Sequence, residues 1–136
     1  MPTDVVDALA RVPLLSSLDR HQLQKLSADF TERSYDAGSV VVRQGDEQGV
    51  GFFIVADGTA IVSVDGKEVA KLGPGSYFGE VALIGDRVRT ATVTAESELR
   101  CLVMTAWVFR SFVRGDADVA WKLLEHLGSL MHPTHH

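Results

Sequence analysis

The sequence holds one cysteine, Cys101. An internal disulfide is therefore excluded, which fits a reducing compartment. Cys101 sits in Leu99-Arg-Cys-Leu-Val-Met104 with no histidine near it in sequence. It reads as a small buried core residue, not a nucleophile. Long hydrophobic runs are also missing: no apolar stretch approaches a membrane span, and Met-Pro-Thr-Asp-Val-Val-Asp at the N-terminus lacks a basic region leading into an apolar one. A cytoplasmic protein without membrane insertion is expected. Positive charge is scarce, with 13 Lys+Arg against 18 Asp+Glu and a formal net charge of −5, which argues against a nucleic-acid surface. Finally, none of the histidines (His21, His126, His132, His135 and His136) falls in a strand-like run. A metal-dependent barrel enzyme needs His and carboxylate ligands converging from strands, so no metal site is expected. No serine or cysteine nucleophile has a plausible base, and no catalytic residue is assigned.

What is present suits one ordinary globular domain spanning residues 1–136, with 46% hydrophobic and 23% charged residues. Residues 1–31 read as N-terminal helices. Val5, Val6, Leu9 and Ala10 recur at helical spacing after a capping Thr3 or Asp4, and Pro13 stops that helix or begins a turn. Ser17 or Asp19 then caps a second helix facing Leu23, Leu26 and Phe30 inward, with His21 solvated. From residue 32 the period drops to two. Strand-like runs at 32–35, 39–43, 51–56, 59–64, 67–72, 91–95 and 99–104 are punctuated by Gly and Asp, and Asp65-Gly66 is a strong hairpin signal. The fold class is α+β, mainly β: an antiparallel β-roll or jelly-roll barrel over 32–104, flanked by helices. Over 105–131 the helical pattern returns. Thr105 caps a helix carrying Trp107, Phe109, Phe112 and Val113, Gly115 breaks it, and Asp116 caps another with an apolar stripe of Val119, Ala120, Leu123, Leu124 and Leu127. Gly128 is expected to end or weaken that helix, and 132–136 is a tail.

The chemistry concentrates in residues 77–93, Tyr-Phe-Gly-Glu-Val-Ala-Leu-Ile-Gly-Asp-Arg-Val-Arg-Thr-Ala-Thr-Val. Gly79 permits a close backbone approach, and the amides that follow it form a short helix start suited to an anion. Arg89, leading into a strand, offers a two-pronged donor for phosphate oxygens. Glu80 would repel a phosphate unless it accepts from a neighbouring hydroxyl, as a ribose phosphate would supply.

Phe78-Gly-Glu-Val-Ala-Leu83 followed by Arg89-Thr-Ala-Thr92 resembles the phosphate-binding cassette of cyclic nucleotide-binding domains. The glycine order across the β-rich half (Ala37-Gly38, Gln44-Gly-Asp46, Phe52-Phe-Ile-Val with Gly58) is similar to that family's β-roll. Many members carry proline before the arginine where this chain has Val88. The resemblance implies that Arg89 holds the cyclic phosphate and Glu80 the ribose 2′-hydroxyl. The amides around Ala82 and Leu83 would take the remaining phosphate oxygen, and Phe78, Gly79, Val81, Thr90 and Ala91 would complete the site. It also implies a hinge helix over 105–114 and a lid helix over 116–127 or slightly beyond, with Leu127, Leu130 or Met131 as candidates to cap the base. Thr90 could favour cGMP, yet bacterial-looking members with a hydroxyl there often take cAMP, and cAMP is expected over cGMP. No cofactor is implied besides this ligand. The expected partners are the cyclic nucleotide, an unidentified protein effector and a second copy paired through the C-terminal helices. No DNA partner is expected, because the two helices after 104 leave no room for a helix-turn-helix module. The alternative is a ligand-silent domain of the same fold serving as a structural or protein-interaction unit. Such domains usually lose the arginine or the glutamate, and this chain keeps Glu80 and Arg89.

Overall fold

A computed structural model describes residues 3–45, 51–80 and 89–131, with side chains described as far as residue 129. Helix α1 (Val5–Ala10) is capped by Asp4, whose carboxylate accepts from the amides of Val6 and Asp7. A 3-10 turn at Pro13–Leu15 leads to α2 (Arg20–Ser27). There Asp19 and Gln22 form a capping box, each side chain accepting from the other's backbone amide.

Eight strands follow among the described residues: β1 (Thr31–Tyr35), β2 (Val40–Val42), β3 (Gly51–Asp57), β4 (Ala60–Val64), β5 (Lys67–Leu72), β6 (Tyr77–Phe78), β7 (Thr92–Ala95) and β8 (Leu99–Thr105). They form two antiparallel four-stranded sheets, ordered β1-β8-β3-β6 and β2-β7-β4-β5. The expected β-roll is present. The β4–β5 turn has φ 53° at Asp65 and 82° at Gly66, the double left-handed geometry that makes this dipeptide a hairpin signal. Strand β6 is additional to the seven runs read from sequence.

Strand β3 explains how one chain supports two cores. Alternate residues point to opposite faces of a strand. Phe52, Ile54 and Ala56 therefore pack with the helices, while Phe53 and Val55 enter the space between the sheets. Strand β8 divides likewise: Leu102 and Met104 face the helices, whereas Leu99, Cys101 and Val103 face inward. Cys101 is fully buried, and burial pushes its thiol pKa up to about 12. It is an inert core residue.

Helix α3 (Ala106–Gly115) is capped by the Thr105 hydroxyl and stacks Phe109 on Phe52 at 4.6 Å between ring centroids. Helix α4 (Ala117–Met131) begins with Asp116 Oδ1 accepting from Val119 N and continues through Gly128 without a break. Tertiary packing on one side evidently outweighs the glycine's cost of about 1 kcal/mol. The stripe read from sequence divides in two. Val119 and Leu123 are buried and Leu127 packs on the helical core, but Leu124 is 59% exposed, as are Trp121 at 63% and Trp107 at 81%. No helix among the described residues is long and apolar enough to cross a membrane.

Candidate ligand-binding site

Between the second sheet and residues 77–80 and 89–91 lies a cavity of about 650 Å³. Its apolar wall comes from β2, β4 and β5, including Val42, Val62, Val64 and Leu72. Its polar end is made by Gly79, Glu80, Arg89 and Thr90, with Phe78 and Ala91 beside them. Six of the residues expected at a ligand site thus line one space. Val81, Ala82 and Leu83, the expected amide donors, lie outside the described residues, as do the side chains of Leu130 and Met131.

Arg89 is buried, with 3% of its surface exposed. Its Nη1 donates to Gly79 O at 3.3 Å and its Nη2 to Gly51 O at 3.1 Å. Its guanidinium carbon lies 5.9 Å from the centre of the Phe53 ring, which in turn stacks on Phe78 at 4.8 Å. Two glycines make this seat possible. Gly79 has φ +98°, and a Cβ there would fall 2.7 Å from Gly51 O and 2.8 Å from Arg89 Nη1. A Cβ on Gly51 would fall 2.0 Å from Met104 O. The close approach read into Gly79 from sequence is thus to the arginine and its second carbonyl. The backbone of Arg89 is also held, since its carbonyl accepts from Gly45 N at 2.9 Å.

Two neutral carbonyls do not neutralise a buried cation. Arg89 Nε has no hydrogen-bond partner among the described residues. Burial lowers the Arg89 pKa from its usual range, and the nearby Glu80 charge only partly offsets this. Such a site gains from an anion that can accept from a planar guanidinium.

Glu80, the other buried charged residue among the described residues at 5% exposure, meets a side chain that the sequence does not assign to the site. His126 of α4 places Nε2 3.1 Å from Glu80 Oε2, and its ring lies 4.9 Å from that of Tyr77 at 51°. Burial, reinforced by the Glu80 charge, raises the Tyr77 pKa and keeps the phenol neutral. His126 lines the cavity, while Leu127, the lid candidate with a described side chain, packs on the helical core instead. Among the described residues no three His, Cys, Asp or Glu side chains are grouped to hold a metal. A smaller cavity of about 440 Å³ between α2 and α3 has no buried charge in its lining.

Comparisons with known proteins identify the family. The cyclic nucleotide-binding domain model matches residues 32–116. The cAMP-dependent protein kinase regulatory subunit of Schizosaccharomyces pombe is 48% identical over 112 residues, covering 82% of this chain and 27% of that protein. Its counterpart from Blastocladiella emersonii is 37% identical over 116 residues, covering 82% of this chain and 28% of that protein. The chain thus spans little more than a quarter of the length of these relatives. Among solved structures, the regulatory domain of Toxoplasma gondii PKA with cAMP superposes with a TM-score of 0.77 at 28% identity, covering 92% of this chain and 48% of that one. With the family model matching residues 32–116, more than half of the chain, the chain belongs to the cyclic nucleotide-binding domain family.

Proposed function

We propose that residues 1–136 act as a single cyclic nucleotide sensor, cytoplasmic and non-enzymatic, that takes cAMP in preference to cGMP. The observation that carries the reading is the buried Arg89 guanidinium, seated on two carbonyls with Nε unmet among the described residues, at the polar end of a largely apolar cavity. A cyclic phosphate supplies the missing anion, Glu80 accepts from the ribose 2′-hydroxyl, and the amides near Ala82 and Leu83 take a further phosphate oxygen. Thr90 stands beside the phosphate, and the valine-rich wall of β2, β4 and β5 receives the apolar part of the ligand. Ligand in this position shifts α3 as a hinge and α4 as a lid.

The preference for cAMP is supported by relatives that are regulatory subunits of cAMP-dependent kinases and by a neighbour solved with cAMP. The same relatives support a protein-kinase catalytic subunit as the effector. Exposed Trp121 and Leu124 on α4 offer an apolar face for pairing two copies.

Titration calorimetry of the purified chain against cAMP, cGMP and 5′-AMP tests the reading. Micromolar or tighter binding of cAMP is expected, with cGMP weaker and 5′-AMP weakest. Absence of heat with both cyclic nucleotides would refute it and leave a ligand-silent domain of the same fold.

A further inference from the structure

The lid helix already reaches the cavity through an imidazole. His126 lies on α4, its side chain one-third exposed, with Nε2 3.1 Å from an oxygen of a carboxylate whose side chain is 7% exposed. The ring is backed by Tyr77 of β6, and β6 is hydrogen-bonded to β3 in the first sheet. The imidazole therefore lies between Tyr77 and Glu80. A ribose hydroxyl donating to Glu80 would have to bring its oxygen to within about 2.7 Å of the carboxylate. At Oε2 the imidazole of His126 already stands 3.1 Å away.

We infer that His126 sets ligand affinity at this site by competing with the ribose 2′-hydroxyl for Oε2 of Glu80. Seating the hydroxyl displaces the imidazole and with it the stretch of α4 that carries it, so the hydroxyl becomes the part of the ligand that reports to the lid helix. The inference rests on the cyclic nucleotide reading above and goes beyond it by assigning a role to His126. It carries a consequence for selectivity. A ligand lacking the hydroxyl has no need to move His126, so the chain discriminates against the 2′-deoxy compound less than Glu80 acting alone would.

The test is calorimetric titration of cAMP and 2′-deoxy-cAMP into the whole chain as wild type, His126→Phe and His126→Gln. Phenylalanine keeps a ring against Tyr77 but removes the polar contact, whereas glutamine keeps an N–H for the carboxylate. His126→Phe is expected to bind cAMP about tenfold more tightly than wild type, the scale of losing one close polar contact with a charged group. Its affinity for 2′-deoxy-cAMP should be unchanged, and His126→Gln should stay near wild type with both ligands. If His126→Phe binds cAMP no better than wild type, the competition does not exist. An equal gain with both ligands would mean that the new ring stacks on the base, and would equally overturn the inference. If cAMP binds to none of the three forms, the cyclic nucleotide reading falls, and this inference with it.

Discussion

Two arginines show how the chain separates holding itself together from holding something else. Arg100, on β8, is surrounded by acceptors belonging to the chain. Nη1 donates to Thr3 O at 2.6 Å and to Asp57 Oδ2 at 2.9 Å, and Nη2 pairs with Glu32. Burial alone would lower its pKa, but the hydrogen bonds to Glu32 and Asp57 outweigh that, and the net shift is upward. Arg89 is the more deeply buried of the two; among the described residues its hydrogen bonds go to two carbonyls, and its pKa moves the other way because burial outweighs the nearby Glu80 charge. An arginine that ties the N-terminal segment to the barrel is compensated within the fold. One that meets carbonyls at a cavity among the described residues suits the incoming anion proposed above, at some expense in stability.

The largest effect expected from breaking this contrast is at Arg89. Arg89→Met should weaken cAMP binding by about 3 kcal/mol, roughly a hundredfold, because the phosphate loses its charge-assisted pair. The melting temperature without nucleotide should hold or rise, since replacing an incompletely paired buried charge by an apolar side chain of similar size is often neutral or stabilising. Next comes Gly79→Ala, which forces a Cβ against Gly51 O and Arg89 Nη1 at a positive φ. It should cost ~2 kcal/mol of stability and reduce affinity by displacing the guanidinium, both readable from denaturation and calorimetry. Arg100→Met should give the reverse profile. About 1.5 kcal/mol of stability is lost as Asp57 and Glu32 lose their cation, while cAMP affinity stays within twofold of wild type.

The smallest effect is a pH dependence at the Arg100 end. Burial opposes ionisation of Asp57, but hydrogen bonds from Thr3 and Arg100 outweigh it and hold its pKa below the ordinary carboxylate value. Because the folded-state pKa is the lower one, Asp57 contributes stability at neutral pH and loses it as pH falls through the folded-state value. Acid melts of wild type should therefore fall more steeply than those of Asp57→Asn, and Arg100→Met should flatten the same limb.

Much of this division is legible in the sequence. Strand periodicity, the Asp65-Gly66 turn, Asp19 as one of two cap candidates, and the Thr105 and Asp116 caps are local signals, and local signals fix local structure. The pairing of Glu80 and Arg89 at one cavity is legible through the motif. Strand β6 is not, because two residues are too few to display a period and the strand exists through its ladder to Phe53 and Ile54. His126 is not legible either, for a different reason. Nothing in Leu124-Glu-His-Leu127 separates it from a solvated helix residue. Only the way α4 lies over β6 brings the imidazole to Tyr77 and Glu80. The exposure of Trp107, Trp121 and Leu124 likewise depends on helix rotation against the sheet, which an apolar count does not determine.

The most direct test of the central claim is a set of thermal melts of wild type, Arg89→Met and Arg100→Met, each with and without saturating cAMP. The account predicts that cAMP raises the melting temperature of wild type and Arg100→Met by similar increments and leaves Arg89→Met unmoved. Without nucleotide, Arg100→Met alone should melt below wild type. If Arg89→Met gains the wild-type increment with cAMP, or melts as low as Arg100→Met without it, Arg89 is a structural arginine and the account is wrong.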